Sequence, residues 1–107
     1  MPYANPKTIE EDAFYGCYSL DEMVLPDSIE IICSGAFDKC FNLKNIKLSK
    51  NLLTIKSNAF ANCQSLKYMI IPENVKYIDD NAFLNCNSLT SIYIKSFHTR
   101  FHSSNIN

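Results

Sequence analysis

Five cysteines and two histidines are the residues of this chain best suited to hold a metal or cycle between redox states. Four of the cysteines, Cys17, Cys40, Cys63 and Cys86, follow one another at intervals of 23 residues. Cys33 stands outside that series. His98 and His102 are four apart, the spacing that puts two ligands on one face of a helix. Asp79 and Asp80 form the one adjacent acidic pair outside the N-terminal third, and a carboxylate pair is the raw material of general acid–base chemistry. Whether any of these groups converge depends on the elements that carry them.

Those elements repeat. Ala-Phe occurs at Ala13-Phe14, Ala36-Phe37, Ala59-Phe60 and Ala82-Phe83, and each cysteine of the series lies three residues after the phenylalanine. Three residues further stands a leucine: Leu20, Leu43, Leu66 or Leu89. An isoleucine precedes each alanine by four: Ile9, Ile32, Ile55 or Ile78. No insertion breaks the 23-residue step, and a fixed period of this size is the signature of a solenoid. After each leucine come apolar residues two apart, at Met23/Leu25, Ile46/Leu48, Met69/Ile71 and Ile92/Ile94, the period of a strand with one buried face. Pro26 and Pro72 end two of these strands because proline has no N–H for a ladder. Asp12, Gly35, Asn58 and Asn81 precede the Ala-Phe pairs and are cap or left-handed residues. A single helical or 3₁₀ turn is therefore expected at Ala-Phe-x-x-Cys.

One unit cannot bury its apolar face alone. Stacking the units lays each apolar position on its own copy, at the roughly 4.8 Å separation of neighbouring strands. The expectation is one domain spanning residues 1–107, a right-handed solenoid that is mainly β. It has a partial N-terminal repeat at 1–19, repeats at 20–42, 43–65 and 66–88, and a partial repeat with a C-terminal tail at 89–107. The parallel sheet lies on the concave face, and short β or 3₁₀ turns lie on the convex one.

The consensus Leu-x-x-φ-x-φ-Pro-x-x-φ-x-x-Ile-x-x-x-Ala-Phe-x-x-Cys, with φ a large apolar residue, resembles the 23-residue leucine-rich repeat of BspA-like proteins across roughly Ile9 to Lys95. The resemblance implies a curved leucine-rich repeat solenoid with no catalytic residues. It also implies relatives among bacterial and protozoan cell-surface adhesins, some of which bind host matrix proteins, and others without a secretion signal.

Set on that scaffold, the reactive residues lose their chemistry. A zinc site needs ligands converging on one point, whereas stacked copies of a cysteine point the same way in a line. A disulfide wants Cβ atoms about 3.8 Å apart, closer than parallel vectors at the strand spacing allow. The cysteine column thus reads as a buried apolar ladder. Cys33 is the thiol expected to be most reactive, although no neighbouring residue in the sequence lowers its pKa. No acid or cysteine near His98 and His102 completes a metal site, and with Phe97 and Phe101 they read as an amphipathic tail closing the stack. Asp79-Asp80 precedes a turn and reads as capping. No catalytic residue, metal or cofactor is expected.

Binding is left to the outward positions of the concave strands. They form two ladders, Val24, Lys47, Ile70, Tyr93 and Glu22, Asn45, Tyr68, Ser91. Tyr68, Ile70 and Tyr93 bring tyrosine beside aliphatic surface, which gives large contact area at low entropy cost. A protein partner is expected. A net charge of −1 argues against nucleic acid. Lys44, Lys47, Lys50, Lys56 and Lys67 read as solvated rim, against Asp21, Glu22, Asp27 and Glu30 in the first repeat. No apolar run reaches the roughly 18–20 residues of a membrane helix, and Met1 to Asp12 is no signal peptide. An intracellular location is expected, or the cell surface if the chain is part of a longer secreted protein. Neither end carries a polar cap, so the end coils are open to pairing with another copy, and a purely structural self-associating repeat is the alternative to a binding module.

Overall fold

The computed structural model describes residues 5–96 and 99–101. Nine short strands follow one another: β1 (Thr8–Ile9), β2 (Glu22–Val24), β3 (Ile31–Ile32), β4 (Asn45–Lys47), β5 (Thr54–Ile55), β6 (Tyr68–Ile71), β7 (Tyr77–Ile78), β8 (Ser91–Ile94) and β9 (Arg100–Phe101). Each pairing is parallel and offset by 23 residues, as in Ile9 with Ile32, Met23 with Ile46 and Met69 with Ile92. The sequence period is therefore the spatial register. The chain is a parallel solenoid of about four turns that is mainly β, as the repeat predicts.

Two strand faces result. The two-residue strands form one sheet in the order β1-β3-β5-β7-β9. The longer strands form the other face, but as two ladders, β2-β4 and β6-β8, with no pairing between β4 and β6. This seam is not expected from the repeat. Lys95 N–H closes the β6-β8 ladder by donating to Ile71 O at 3.1 Å. The residue one coil earlier is Pro72, which has no N–H to offer Leu48.

Between the faces lies the core. Phe37, Phe60, Ile32, Ile55, Leu43 and Leu66 are fully buried, together with Ile29, Leu52 and Val75. The Ala-Phe rings stack in one column from Phe14 through Phe37 and Phe60 to Phe83, with centroids 5.1, 5.2 and 5.7 Å apart and planes within 8° of parallel. Burying each such ring stabilises the fold by roughly 1.5–3 kcal/mol. The alanine beside it leaves room for the next coil.

The expected helical or 3₁₀ turn at Ala-Phe-x-x-Cys is replaced by linked β-turns; no helix occurs among the described residues. In the first coil Ala13 N–H donates to Glu10 O, Tyr15 N–H to Asp12 O and Cys17 N–H to Phe14 O, at 3.0–3.1 Å. Asp12 and Gly16 occupy the third positions of two of these turns, with φ of 57° and 68°. A positive φ there reverses the chain instead of letting it wind on as a helix. Gly35/Lys39, Asn58/Asn62 and Asn81/Asn85 repeat the pattern at φ of 57–68°. The turns are also laddered along the stack, since Phe14, Phe37 and Phe60 N–H donate to Ala36, Ala59 and Ala82 O at 2.7–2.8 Å. Even the corner of the coil thus has its backbone groups satisfied. At the same corner, Asn62 donates to the Asp38 carboxylate at 2.9 Å and Asn85 to the Asn62 side-chain oxygen at 3.1 Å.

Candidate interaction face

The longer strands position every residue of the two expected ladders. Alternation along β2, β4, β6 and β8 turns Met23, Ile46, Met69 and Ile92 inward and their neighbours outward. Val24 is 72% exposed, Tyr68 44%, Ile70 42% and Tyr93 59%. Glu22 and Lys47 are exposed as well, whereas Asn45 and Ser91 are only half-exposed. Register pairs Glu22 with Asn45 and Val24 with Lys47 in the first ladder, and Tyr68 with Ser91 and Ile70 with Tyr93 in the second. Asn45 donates to the Glu22 carboxylate at 3.3 Å. Ile70 and Tyr93 are thus direct cross-strand neighbours, with Tyr68 two residues from Ile70 on the same face. The continuous ladders expected from the period are cut at the seam, and this aromatic–aliphatic patch falls wholly on the β6-β8 side.

At the seam the surface is hollow. A cleft of about 330 Å³ is lined by Asn45, Ile46, Lys47, Leu48 and Lys50 on one side and by Tyr68, Ile70, Pro72 and Lys95 on the other. Its lining carries apolar residues and three lysines. Sequence reasoning placed Lys47 and Lys50 on a solvated rim and passed over Lys95. The available signal was that Lys95 takes the place of Pro72, Ser49 and Pro26 in earlier coils, so a charge enters the column that ends the strands.

With this geometry, the comparisons are specific. A family model described as BspA type leucine rich repeat region (6 copies) matches residues 4–106. The chain belongs to the BspA-type leucine-rich repeat family. Among solved structures, a leucine-rich repeat protein from Bacteroides capillosus is 37% identical with a TM-score of 0.77, the match covering 83% of this chain and 63% of that one. A leucine rich cell surface protein from Faecalibacterium prausnitzii is 30% identical with a TM-score of 0.77, over 80% of this chain and 22% of that one. The leucine rich repeat protein of T. pallidum, at 24% identity and a TM-score of 0.56, shares the fold. The chain therefore spans less than two thirds of the length of each. No curated protein matches it.

In this BspA-type chain the cysteine column is part of the core. Cys40 and Cys63 are buried, Cys17, Cys33 and Cys86 half-buried, and all five are free thiols. Each thiol from Cys40 onward donates to the carbonyl of the phenylalanine one coil back: Cys40 to Phe14 O at 3.1 Å, Cys63 to Phe37 O at 3.2 Å and Cys86 to Phe60 O at 3.0 Å. Burial pushes the Cys40 thiol up to about 11. The adjoining Cys86 thiol and burial push Cys63 up as well. A proton kept on sulfur is what a structural donor needs and what a nucleophile lacks. Cys33, expected to be the most reactive thiol, has its pKa raised by burial and then by Glu10, with Lys56 opposing and Glu11 adding to the rise. Among the described residues no three His, Cys, Asp or Glu side chains converge as metal ligands. His98 and His102 lie outside the described residues. No helix of the described residues is long and apolar enough to cross a membrane.

Proposed function

We propose that this chain is a non-enzymatic protein-interaction module that captures a protein partner on the face built by β2, β4, β6 and β8. The observation that carries the reading is the patch of Tyr68, Ile70 and Tyr93, three large side chains at 42–59% exposure, on β6, whose inward Met69 and Ile71 are fully buried, and on β8, whose Ile92 is partly buried and Ile94 exposed. A rigid scaffold presenting tyrosine and aliphatic surface loses little entropy on binding. Glu22, Val24, Asn45, Lys47 and Ser91 complete the face as its variable polar and aliphatic surround. The test is capture of purified matrix and intracellular proteins from a defined panel by the recombinant chain. A Tyr68→Ala/Ile70→Ala/Tyr93→Ala variant with unchanged circular dichroism is expected to lose at least tenfold in affinity, about 1.4 kcal/mol. Retained affinity moves the site to the turns or the five-stranded sheet.

The cell-surface alternative to an intracellular role draws support from the F. prausnitzii neighbour, which is described as a cell surface protein. In that reading the same face belongs to a longer adhesin. Antibody labelling of intact against permeabilised source cells distinguishes the two locations.

A further inference from the structure

We propose that the cleft at the seam between β4 and β6 is a site for an acidic, extended peptide segment carrying an apolar side chain between carboxylates. This deepens the interaction-module reading and rests on it. Three observations point the same way. The cleft is lined by the apolar Ile46, Leu48, Ile70 and Pro72, and its volume of about 330 Å³ accepts one or two apolar side chains. Among the described residues, Lys47, Lys50 and Lys95 are the charged ones that line it, and no carboxylate does. Lys7 pairs with Glu30 and Lys50 with Asp27, the latter at 3.9 Å, and among the described residues no ion pair engages Lys47 or Lys95.

The charges of the whole face reinforce this. Asp21, Glu22 and Asp27 stand in the first coil, and Lys44, Lys47, Lys50 and Lys67 in the next two. An anionic chain is steered away from β2 and toward the seam. Lys50 is the weakest contributor. Asp27 pairs with it, and Glu73 holds the same column one coil on. Lys47 and Lys95 therefore carry the selectivity. Their aliphatic stems cover the apolar lining while their ammonium groups stay in water, where they meet carboxylates without being desolvated. An extended peptide suits the site because alternate side chains share a face, so one apolar residue enters the cleft while the residues two before and two after it reach the rim.

The experiment is fluorescence anisotropy with the full chain and a rhodamine-labelled octapeptide, Gly-Glu-Gly-Leu-Gly-Glu-Gly-Gly, whose two glutamates flank the leucine on one face of the extended chain. The same peptide with glutamine for glutamate is the control. The glutamate peptide is expected to bind at least tenfold more tightly than the glutamine peptide, and more weakly as salt rises. Lys47→Gln/Lys95→Gln is expected to remove that preference. Lys47→Arg/Lys95→Arg keeps it, and Lys50→Gln changes it less. Equal binding of the two peptides, no binding of either, or a preference that survives the double glutamine variant overturns the proposal. So does displacement of the peptide by inorganic phosphate at equal concentration, which makes the cleft a simple anion site. A panel protein captured in a salt-independent manner, lost with the Tyr68/Ile70/Tyr93 variant and kept by Lys47→Gln/Lys95→Gln, leaves the module reading intact while sinking this one. Failure of every capture sinks both.

Discussion

At the scale of single residues, a side chain's role here follows from its column. Cysteine recurs every 23 residues because that corner of the coil has room for a small apolar group that also donates to a carbonyl. The sequence shows the spacing and the parallel direction, which is enough to set aside zinc and disulfide chemistry. It does not show the acceptor, since Phe37 O and Cys63 Sγ are 26 positions apart and meet only when coils stack. A pH dependence follows. The Cys40 thiol has an ordinary value of 9.0 and titrates at about 11 in the fold. Folding thus disfavours the thiolate, so this contribution to stability is complete below pH 9 and is lost as pH rises through 11. Thermal melts from pH 8 to 11 are expected to show a smaller fall in Tm for Cys40→Ser than for the unaltered chain. Identical slopes would mean that Cys40 remains neutral in both states.

Elements were legible in unequal measure. The strands were plain, because a period of two with proline stops has few other readings. The turn was half legible. Asp12, Gly35, Asn58 and Asn81 announce a left-handed position, and Gly16, Asn62 and Asn85 announce a second, but Lys39 interrupts that series, and a helical turn was expected in its place. A lysine at φ 62° shows that the backbone of the neighbouring coils imposes the geometry on whatever residue occupies the place. At Asn58, with φ 60°, a β-branched residue meets the full steric penalty. Asn58→Val is expected to cost about 1–2 kcal/mol, and Asn58→Gly, free of that penalty, to unfold near the original midpoint in urea. Equal midpoints for valine and glycine would contradict the turn geometry. The seam was the least legible element. Pro72 ends β6 in the sequence, but only the paired neighbours show that it also withholds the bond Lys95 supplies one coil later.

For the whole molecule, the 23-residue step determines nearly everything, and its register is reproduced in every strand pair. What the repeat cannot encode is where it fails, and the failure is informative. Breaking one sheet into β2-β4 and β6-β8 opens the cleft and gathers Lys47, Lys50 and Lys95, which lie 3 and 45 residues apart in the chain. Among the described residues, β1 and β9 are the outer strands of the five-stranded sheet, each paired to one neighbour. Light scattering is expected to show a mass that rises with concentration if copies pair through those edges. A constant monomer mass across the same range contradicts end-to-end pairing and leaves binding by a single solenoid as the mode of action.

On the proposed function the longer strands form the working face. Amide hydrogen exchange on the chain bound at saturation to a captured panel protein reads this out residue by residue. Slowed exchange across residues 45–48, 68–72 and 91–95, with the turns and the five-stranded sheet unchanged, is the predicted result. Slowing confined to the turns or to β1, β3, β5 and β7, with residues 68–72 and 91–95 unaffected, would contradict it.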